Sequence, residues 1–399
     1  MKIKRLISRA LIACDALIRG FMFKPETHNT KRVIIVLHQA YGDAVVLSAS
    51  LQEYAKIFPK SEGYDVKYLA RPGVIEFMKA VIPYANELNF EPVDFPRFIE
   101  DYAYYREISS GYRNKADILI VPVSSPGAEI FSCANNAARK IASVRPVDIT
   151  SSLLMRLLSK YAYTEKIRPD KNEMALQRHR QLINYLGDKD FRARLPVLKS
   201  EPRIIHEAEY CVICPGASVS ERWWPVERFS EIIDYVNEEL NMNVHLCGGT
   251  EEAELEKGLH VKHPERVISH AGKTSFSEWS SIVQHASLFI GNDSGTAHLA
   301  VAHRVRTVCI TGDYEFVIFP YKVDVLEPDD ILPLCVYKRM PCENCRDVGY
   351  YTGSTNPECM KRIKEGKCAL CIDAVSVEDV KNAIKKIMKE EKNIGRFIQ

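Results

Sequence analysis

The chain has 399 residues, enough for two domains of ordinary size. Hydrophobic residues at 46% and charged residues at 27% are the composition of a folded globular protein. Lys plus Arg total 54 against 52 Asp plus Glu, which argues against a general nucleic-acid binder with its strong basic excess.

No apolar run approaches the ~20 residues of a membrane-spanning helix. The N-terminal segment Met1–Phe23 places Ile3, Leu6, Ile7, Ala10, Leu11, Leu17, Ile18 and Phe21 near one helical face, with Lys2, Lys4, Arg5, Arg9, Arg19 and Lys24 supplying positive charge. Such a helix suits either an anionic membrane surface or the protein's own body. Asp15 and Arg19 interrupt any apolar core and no small-residue cleavage site follows, so it does not read as a signal peptide. Arg32–His38 is a continuous apolar run, the signature of a strand buried on both faces of a parallel sheet. A turn with Gly42 leads to a helix predicted over Ala44–Phe58 and stopped by Pro59. A strand at Asp65–Ala70, a helix at Val74–Val81 and a strand at Ala116–Val121 follow. Residues 151–186 read as mostly helical, and Phe191–Pro202 as a linker.

The alternation then restarts. Strands are predicted at Tyr210–Cys214, Asn243–Cys247, Ser287–Gly291 and Thr307–Gly312. Helices are predicted from Pro225 to about Leu240 and at Ser275–His285, Gly295–Ala302 and Val377–Glu390. Tandem βα alternation implies an α/β protein of two doubly wound, Rossmann-like halves facing a cleft. The divisions are a basic amphipathic helix (1–30), a first domain (31–190), a linker (191–203), a second domain (204–334), a cysteine-rich segment (335–375) and a C-terminal helix (376–399).

In open α/β sheets, ligands bind beyond the carboxyl ends of the strands, and four such ends here are polar. Gly42-Asp43 follows the first strand; Asp43 reads either as a helix cap or as a general base facing the cleft. Cys214 to Pro225 carries a Gly/Ser turn, Ser218 and Arg222, which suit a diphosphate leaving group or a loop with Arg stacked on Trp223 or Trp224. Gly248 to Glu252 ends in acidic residues that bind ribose hydroxyls or simply start a helix. Gly291-Asn-Asp-Ser-Gly-Thr-Ala-His298 enters a helix at Gly295 as a phosphate cradle would. There Asp293 shapes the turn, and His298 either steadies a leaving phosphate or packs. No GxGxxG follows either opening strand, and no P-loop or GxSxG elbow occurs.

Twelve cysteines are present, six of them from Cys335 onward. With no signal peptide the expected compartment is reducing, where clustered cysteines point to metal before disulfides. Cys342-x2-Cys345 and Cys368-x2-Cys371 are two knuckles separated by 22 residues, with Cys359 between them. A structural zinc held by Cys342, Cys345 and two of Cys359, Cys368 and Cys371 is one reading; free thiols and disulfides are the others.

In this order, the stretches 34–59, 214–233, 245–254 and 271–300 resemble glycosyltransferase family 9, the heptosyltransferases of lipopolysaccharide assembly. The run Gly291-Asn-Asp-Ser-Gly to His298 is the most specific of them, and residues 85–200 carry no resemblance. The resemblance implies a GT-B fold and an inverting transfer that needs no cofactor, commonly from ADP-heptose to a glycan or glycolipid hydroxyl. It implies Asp43 as base and Arg222 on the donor phosphate, in place of the family's usual Lys. It also implies Glu252, or Glu251 one position away, near the ribose. Ser218, Asp293, Ser294, Gly295, Thr296, Ala297 and His298 fall in the donor-binding turns. Cys342, Cys345 and Cys359-Met360 match a cysteine pattern common in the family. His38 to Tyr41 depart from the family's smaller residues, in the region expected to meet the acceptor. The expected location is the cytoplasm, peripheral to the inner face of the cytoplasmic membrane, with no nucleic-acid partner. Two rivals remain: another GT-B sugar-nucleotide enzyme such as a hydrolysing epimerase, and a non-catalytic metal-binding interaction protein on this scaffold.

Overall fold

The computed structural model describes residues 2–22, 31–144, 153–170, 173–313, 321–340 and 356–389. Among these residues, twelve strands form two parallel sheets of six. The first comprises β1 (Lys31–Leu37), β2 (Tyr64–Ala70), β3 (Phe90–Pro92), β4 (Ile118–Val121), β5 (Arg139–Ser143) and β6 (Glu165–Ile167). The second comprises β7 (Tyr210–Cys214), β8 (Asn243–Leu246), β9 (Val267–Ser269), β10 (Leu288–Asn292), β11 (Thr307–Ile310) and β12 (Leu334–Val336). The spatial orders β3-β2-β1-β4-β5-β6 and β9-β8-β7-β10-β11-β12 are the same doubly wound order, used twice.

Burial on both faces explains the apolar runs. In β1, Ile34 and Val36 face a core shared with Leu119, Phe131 and the N-terminal helix. Val33, Ile35 and Leu37 face another core, which continues between the domains to Val212, Phe289 and Leu299. The outer face of the second sheet is closed by Trp224 and by Val380, Ile384 and Ile387 of the C-terminal helix Val377–Lys389.

Several boundaries differ from the sequence reading. The helix after β1 runs Tyr41–Ile57, three residues earlier than predicted, because the Ala44 N–H already reaches the Ala40 carbonyl at 3.0 Å. Pro225 is the N-cap of the helix Val226–Glu239 and not a first-turn residue. Residues 153–186 hold two helices with β6 between them, and β6 is too short and too half-buried to show a period. β12 carries Cys335 into the second sheet, so that domain continues past residue 334.

Residues 191–203 form no helix or strand, yet they are strapped down on both sides. The Ala193 N–H donates to Asp324 Oδ2 at 2.7 Å, Arg304 donates to the Pro196 carbonyl at 2.6 Å, and the Lys199 N–H donates to the Val81 carbonyl at 2.8 Å.

Candidate active site

The cleft is built where two helix starts meet. Tyr41–Ile57 begins at the carboxyl end of β1, and Gly295–Ala302 begins at the carboxyl end of β10. Their first turns touch through two glycines. A methyl group on Gly42 would lie 2.6 Å from His298 Cδ2 and 3.2 Å from the Gly295 Cα. One on Gly295 would lie 3.4 Å from the Gly42 nitrogen. Absence of a side chain at both positions is what permits this approach.

Asp43 is therefore carried to the edge of the second domain. It occupies the third position of its helix, while Ala40 is the N-cap, so the capping role is not the one observed. It is half-buried and makes no hydrogen bond or ion pair among the described residues. Burial, with the Asp293 and Asp43 charges also contributing, raises the Tyr321 phenol well above its usual range. Asp43 and the turn after β10 thus share one electrostatic environment.

In that turn, Asp293 is 2% exposed and receives Arg222 NH1 at 2.8 Å on Oδ2. Its Oδ1 lies 3.6 Å from His298 Nε2, and His298 Nδ1 lies 2.7 Å from the Tyr321 hydroxyl. The chain Arg222–Asp293–His298–Tyr321 is a buried polar network, in which each member orients the next. Arg222 is not stacked on a tryptophan in the arrangement found. Trp224 is buried and donates to the Val375 carbonyl at 2.9 Å, and Trp223 donates to the Ala217 carbonyl at 2.7 Å. Asn292 ties the two loops together, donating to the Pro215 carbonyl at 2.7 Å and accepting the Trp224 N–H at 3.2 Å. Thr296 donates to the Cys214 sulfur at 3.4 Å; burial pushes that thiol up to about 11, so it accepts the bond as a neutral group.

Ser294 is the N-cap of Gly295–Ala302, whose first turn therefore presents the unpaired N–H groups typical of a helix start. Ser294 and Gly295 are partly exposed, while Thr296, Ala297 and His298 are buried. Backbone N–H groups and the helix dipole make this an anion-binding geometry. Glu252 lies across the β7 and β8 loops. Its Oε2 accepts the Gly249 N–H at 2.8 Å in a capping-box arrangement, so the helix-start reading is met. A methyl group on Gly216 would lie 2.4 Å from Glu252 Cγ, so this glycine makes room for the carboxylate beside the cradle. Glu252 is partly buried against Gly216 and Gly248, whereas Glu251 is exposed. Ser218 sits on the exposed outer part of its loop.

The structure brings Asp43, Arg222, Asp293, Ser294, Gly295, Thr296, Ala297 and His298 together where the two helix starts meet, with Glu252 on the neighbouring loop and Ser218 exposed on the loop after β7. Sequence reasoning missed Tyr321, whose surroundings 318–323 carry no motif, and Gln39. Gln39 lies just beyond β1, 4% exposed, with both amide atoms buried and unpartnered among the described residues. Its only signal was an unusual polar residue in the pre-Gly42 stretch.

Of the cysteines read as metal ligands, Cys342 and Cys345 lie outside the described residues. Cys359 and Cys368 are buried in the core under Trp224, and Cys371 packs at its edge. Arg362 donates to the Cys368 sulfur at 3.6 Å. Among the described residues no three His, Cys, Asp or Glu side chains gather as a metal site.

Residues 150–322 match the family model "Glycosyltransferase family 9 (heptosyltransferase)", a span that includes Arg222, Asp293, His298 and Tyr321. Lipopolysaccharide heptosyltransferase 3 of Escherichia coli K12 is 29% identical over 124 residues, 30% of this chain and 35% of that protein. The chain thus spans about a third of that relative's length. The glycosyl transferase family 9 structure from Veillonella parvula DSM 2008 superposes with TM-score 0.61 at 17% identity, covering 92% of this chain and 99% of the other. E. coli ADP-heptose lps heptosyltransferase II superposes with TM-score 0.60 at 13% identity, covering 90% and 98%. The fold shared with these structures is GT-B. The family model lies across the cradle and the fold is common to nearly the whole chain, so this protein is similar to the members of glycosyltransferase family 9.

Proposed function

We propose that the protein is an inverting glycosyltransferase that moves a sugar from a nucleoside diphosphate donor to a glycan hydroxyl. ADP-heptose is the donor this reading favours, because the family model and the named relatives are heptosyltransferases. The acceptor is a lipopolysaccharide core or another surface glycan, and the protein works in the cytoplasm. The observation that carries the reading is the contact of Gly42 with the start of Gly295–Ala302, which sets the neighbouring Asp43 at the domain boundary.

In the proposed reaction the donor diphosphate lies on the first turn of Gly295–Ala302 and the ribose lies toward Glu252. Arg222, oriented by its ion pair with Asp293, lies beside that turn and brings positive charge to the diphosphate. The acceptor hydroxyl lies against Asp43. Asp43 takes the hydroxyl proton as that oxygen bonds the anomeric carbon, while the anomeric C–O bond to the diphosphate breaks on the opposite face. Configuration inverts, and the electron pair leaves with the nucleoside diphosphate. Positive charge for the leaving group comes from the helix start and Arg222, so the displacement itself calls on no metal. A structural metal at Cys342, Cys345 and two of Cys359, Cys368 and Cys371 is a separate part of the proposal, and metal analysis of the purified full chain tests it.

Asp43→Asn is the direct test of the base. The expected outcome is a 10²–10⁴-fold fall in transfer, the usual worth of a general base, with donor affinity by calorimetry unchanged. Transfer at the wild-type rate would remove Asp43 from the mechanism. Release of free sugar without an acceptor, lost in the same variant, would favour a hydrolysing enzyme.

A further inference from the structure

The N-terminal helix Lys2–Met22 has two apolar sides, and the fold uses only one. Ile12 and the small residues Ala13 and Ala16 face the body and are buried, and a methyl group on Gly20 would lie 3.3 Å from the Cys133 side chain. Asp15 locks this side down, accepting the Tyr105 hydroxyl at 2.7 Å and Arg19 Nε at 2.6 Å. The large residues point the other way. Ile7, Leu11, Ile18 and Met22 recur at intervals of four and seven, one face of a helix, and Phe21 borders them. Leu11 is 51% exposed, Ile18 56% and Phe21 73%. Six of the twelve large hydrophobic residues that stand exposed among the described residues lie on this one helix.

The neighbouring helix Leu153–Ala162 extends the surface. Phe21 meets Tyr161 edge-on with ring centroids 6.0 Å apart, and Lys160 Nζ lies 5.5 Å from the Tyr161 ring. Arg156 and Lys160 are exposed there, and that helix has no acidic residue. The N-terminal helix itself carries five basic residues against one acidic. Arg5 and Arg9 keep side chains more than half exposed beside Glu100.

We propose that this face is a docking surface for an anionic lipid bilayer, an inference that stands apart from the glycosyltransferase reading. The apolar stripe enters the headgroup boundary, the Phe21–Tyr161 pair sits at the interface as amphipathic rings do, and the basic side chains meet lipid phosphates. No helix among the described residues is long and apolar enough to cross a membrane, so the helix lies on the bilayer. A second copy of the chain fits less well, since a two-fold contact through this helix would set its basic residues against their own copies.

Vesicle flotation of the full chain tests this. Phosphatidylcholine vesicles are compared with vesicles also containing phosphatidylglycerol, for wild type and Leu11→Glu/Ile18→Glu. Both substituted side chains are already more than half exposed, so the fold is retained. The expected result is at least ~10-fold tighter binding to phosphatidylglycerol vesicles, weakened by salt and lost in the double variant. Failure of wild type to float, or equal flotation of the variant, overturns the proposal. So does a concentration-dependent dimer that the variant abolishes, which would make the face a contact between copies. Donor binding by calorimetry is expected to be equal in both proteins; its absence from both would count against the transferase reading and leave the membrane surface standing.

Discussion

Gly42→Ala separates two opposite expectations by sign. Gly42 lies in the first turn of a helix without positive φ. On helix propensity and unfolded-state entropy alone, Ala there would stabilise the protein by about 0.5–1 kcal/mol. The domain contact predicts the reverse. The new methyl would lie 2.6 Å from His298 Cδ2, about 1 Å inside ordinary carbon contact distance, and 3.2 Å from the Gly295 Cα, which is backbone. The ring cannot swing away freely, because the Tyr321 hydroxyl is hydrogen-bonded to Nδ1 at 2.7 Å and Asp293 flanks Nε2. Overpacking of this kind costs about 1–3 kcal/mol, so the net change is a loss of about 0–2.5 kcal/mol, with the domains pushed apart or His298 displaced. Gly111→Ala is the matched control: it lies in the helix Tyr102–Tyr112 with no atom within 4 Å of the added methyl. It should gain about 0.5–1 kcal/mol. Denaturant unfolding of both variants, with transfer rates, is the assay. Gly42→Ala that gains as much stability as Gly111→Ala and keeps full activity would refute the close approach of the two helix starts.

Two further outcomes follow from buried groups. Arg222→Ala should lower stability by about 3 kcal/mol as well as weaken donor binding at least ~10-fold, because it takes the ion-pair partner at 2.8 Å from Asp293, which is 2% exposed. Arg222→Ala/Asp293→Asn should recover most of the stability and none of the donor affinity, read by denaturant unfolding and calorimetry. His179 is buried, and desolvation followed by the Arg178 charge pushes its pKa from 6.5 down to about 4. The folded protein thus holds a neutral ring where the unfolded chain is protonated. Its contribution is whole above pH ~6.5 and falls by about 3 kcal/mol as pH drops toward 4. Wild type should lose unfolding free energy from pH 7 to pH 5, and His179→Leu should lose measurably less; equal slopes would count against that assignment.

Much of the architecture was legible in the chain itself. Runs such as 32–38 and 210–214 are apolar without alternation because parallel strands are buried on both faces, and their order alone implied two doubly wound halves. The strand-end turns at 42–43 and 291–298 were legible because glycines and polar residues interrupt apolar runs there. Strands β3, β6, β9 and β12 were not, since each has three residues and no period can be read from three, and the five-residue β5, which opens on Arg139 and Lys140, was not read either. Tertiary structure alone decided that Gly42 meets Gly295, that Arg222 spends one face on Asp293, that Tyr321 joins His298, and which side of Lys2–Met22 is covered. Periodicity reports that a residue is apolar or polar along its own element. Which other element lies opposite depends on packing between separate segments of the chain, and local pattern holds no record of that.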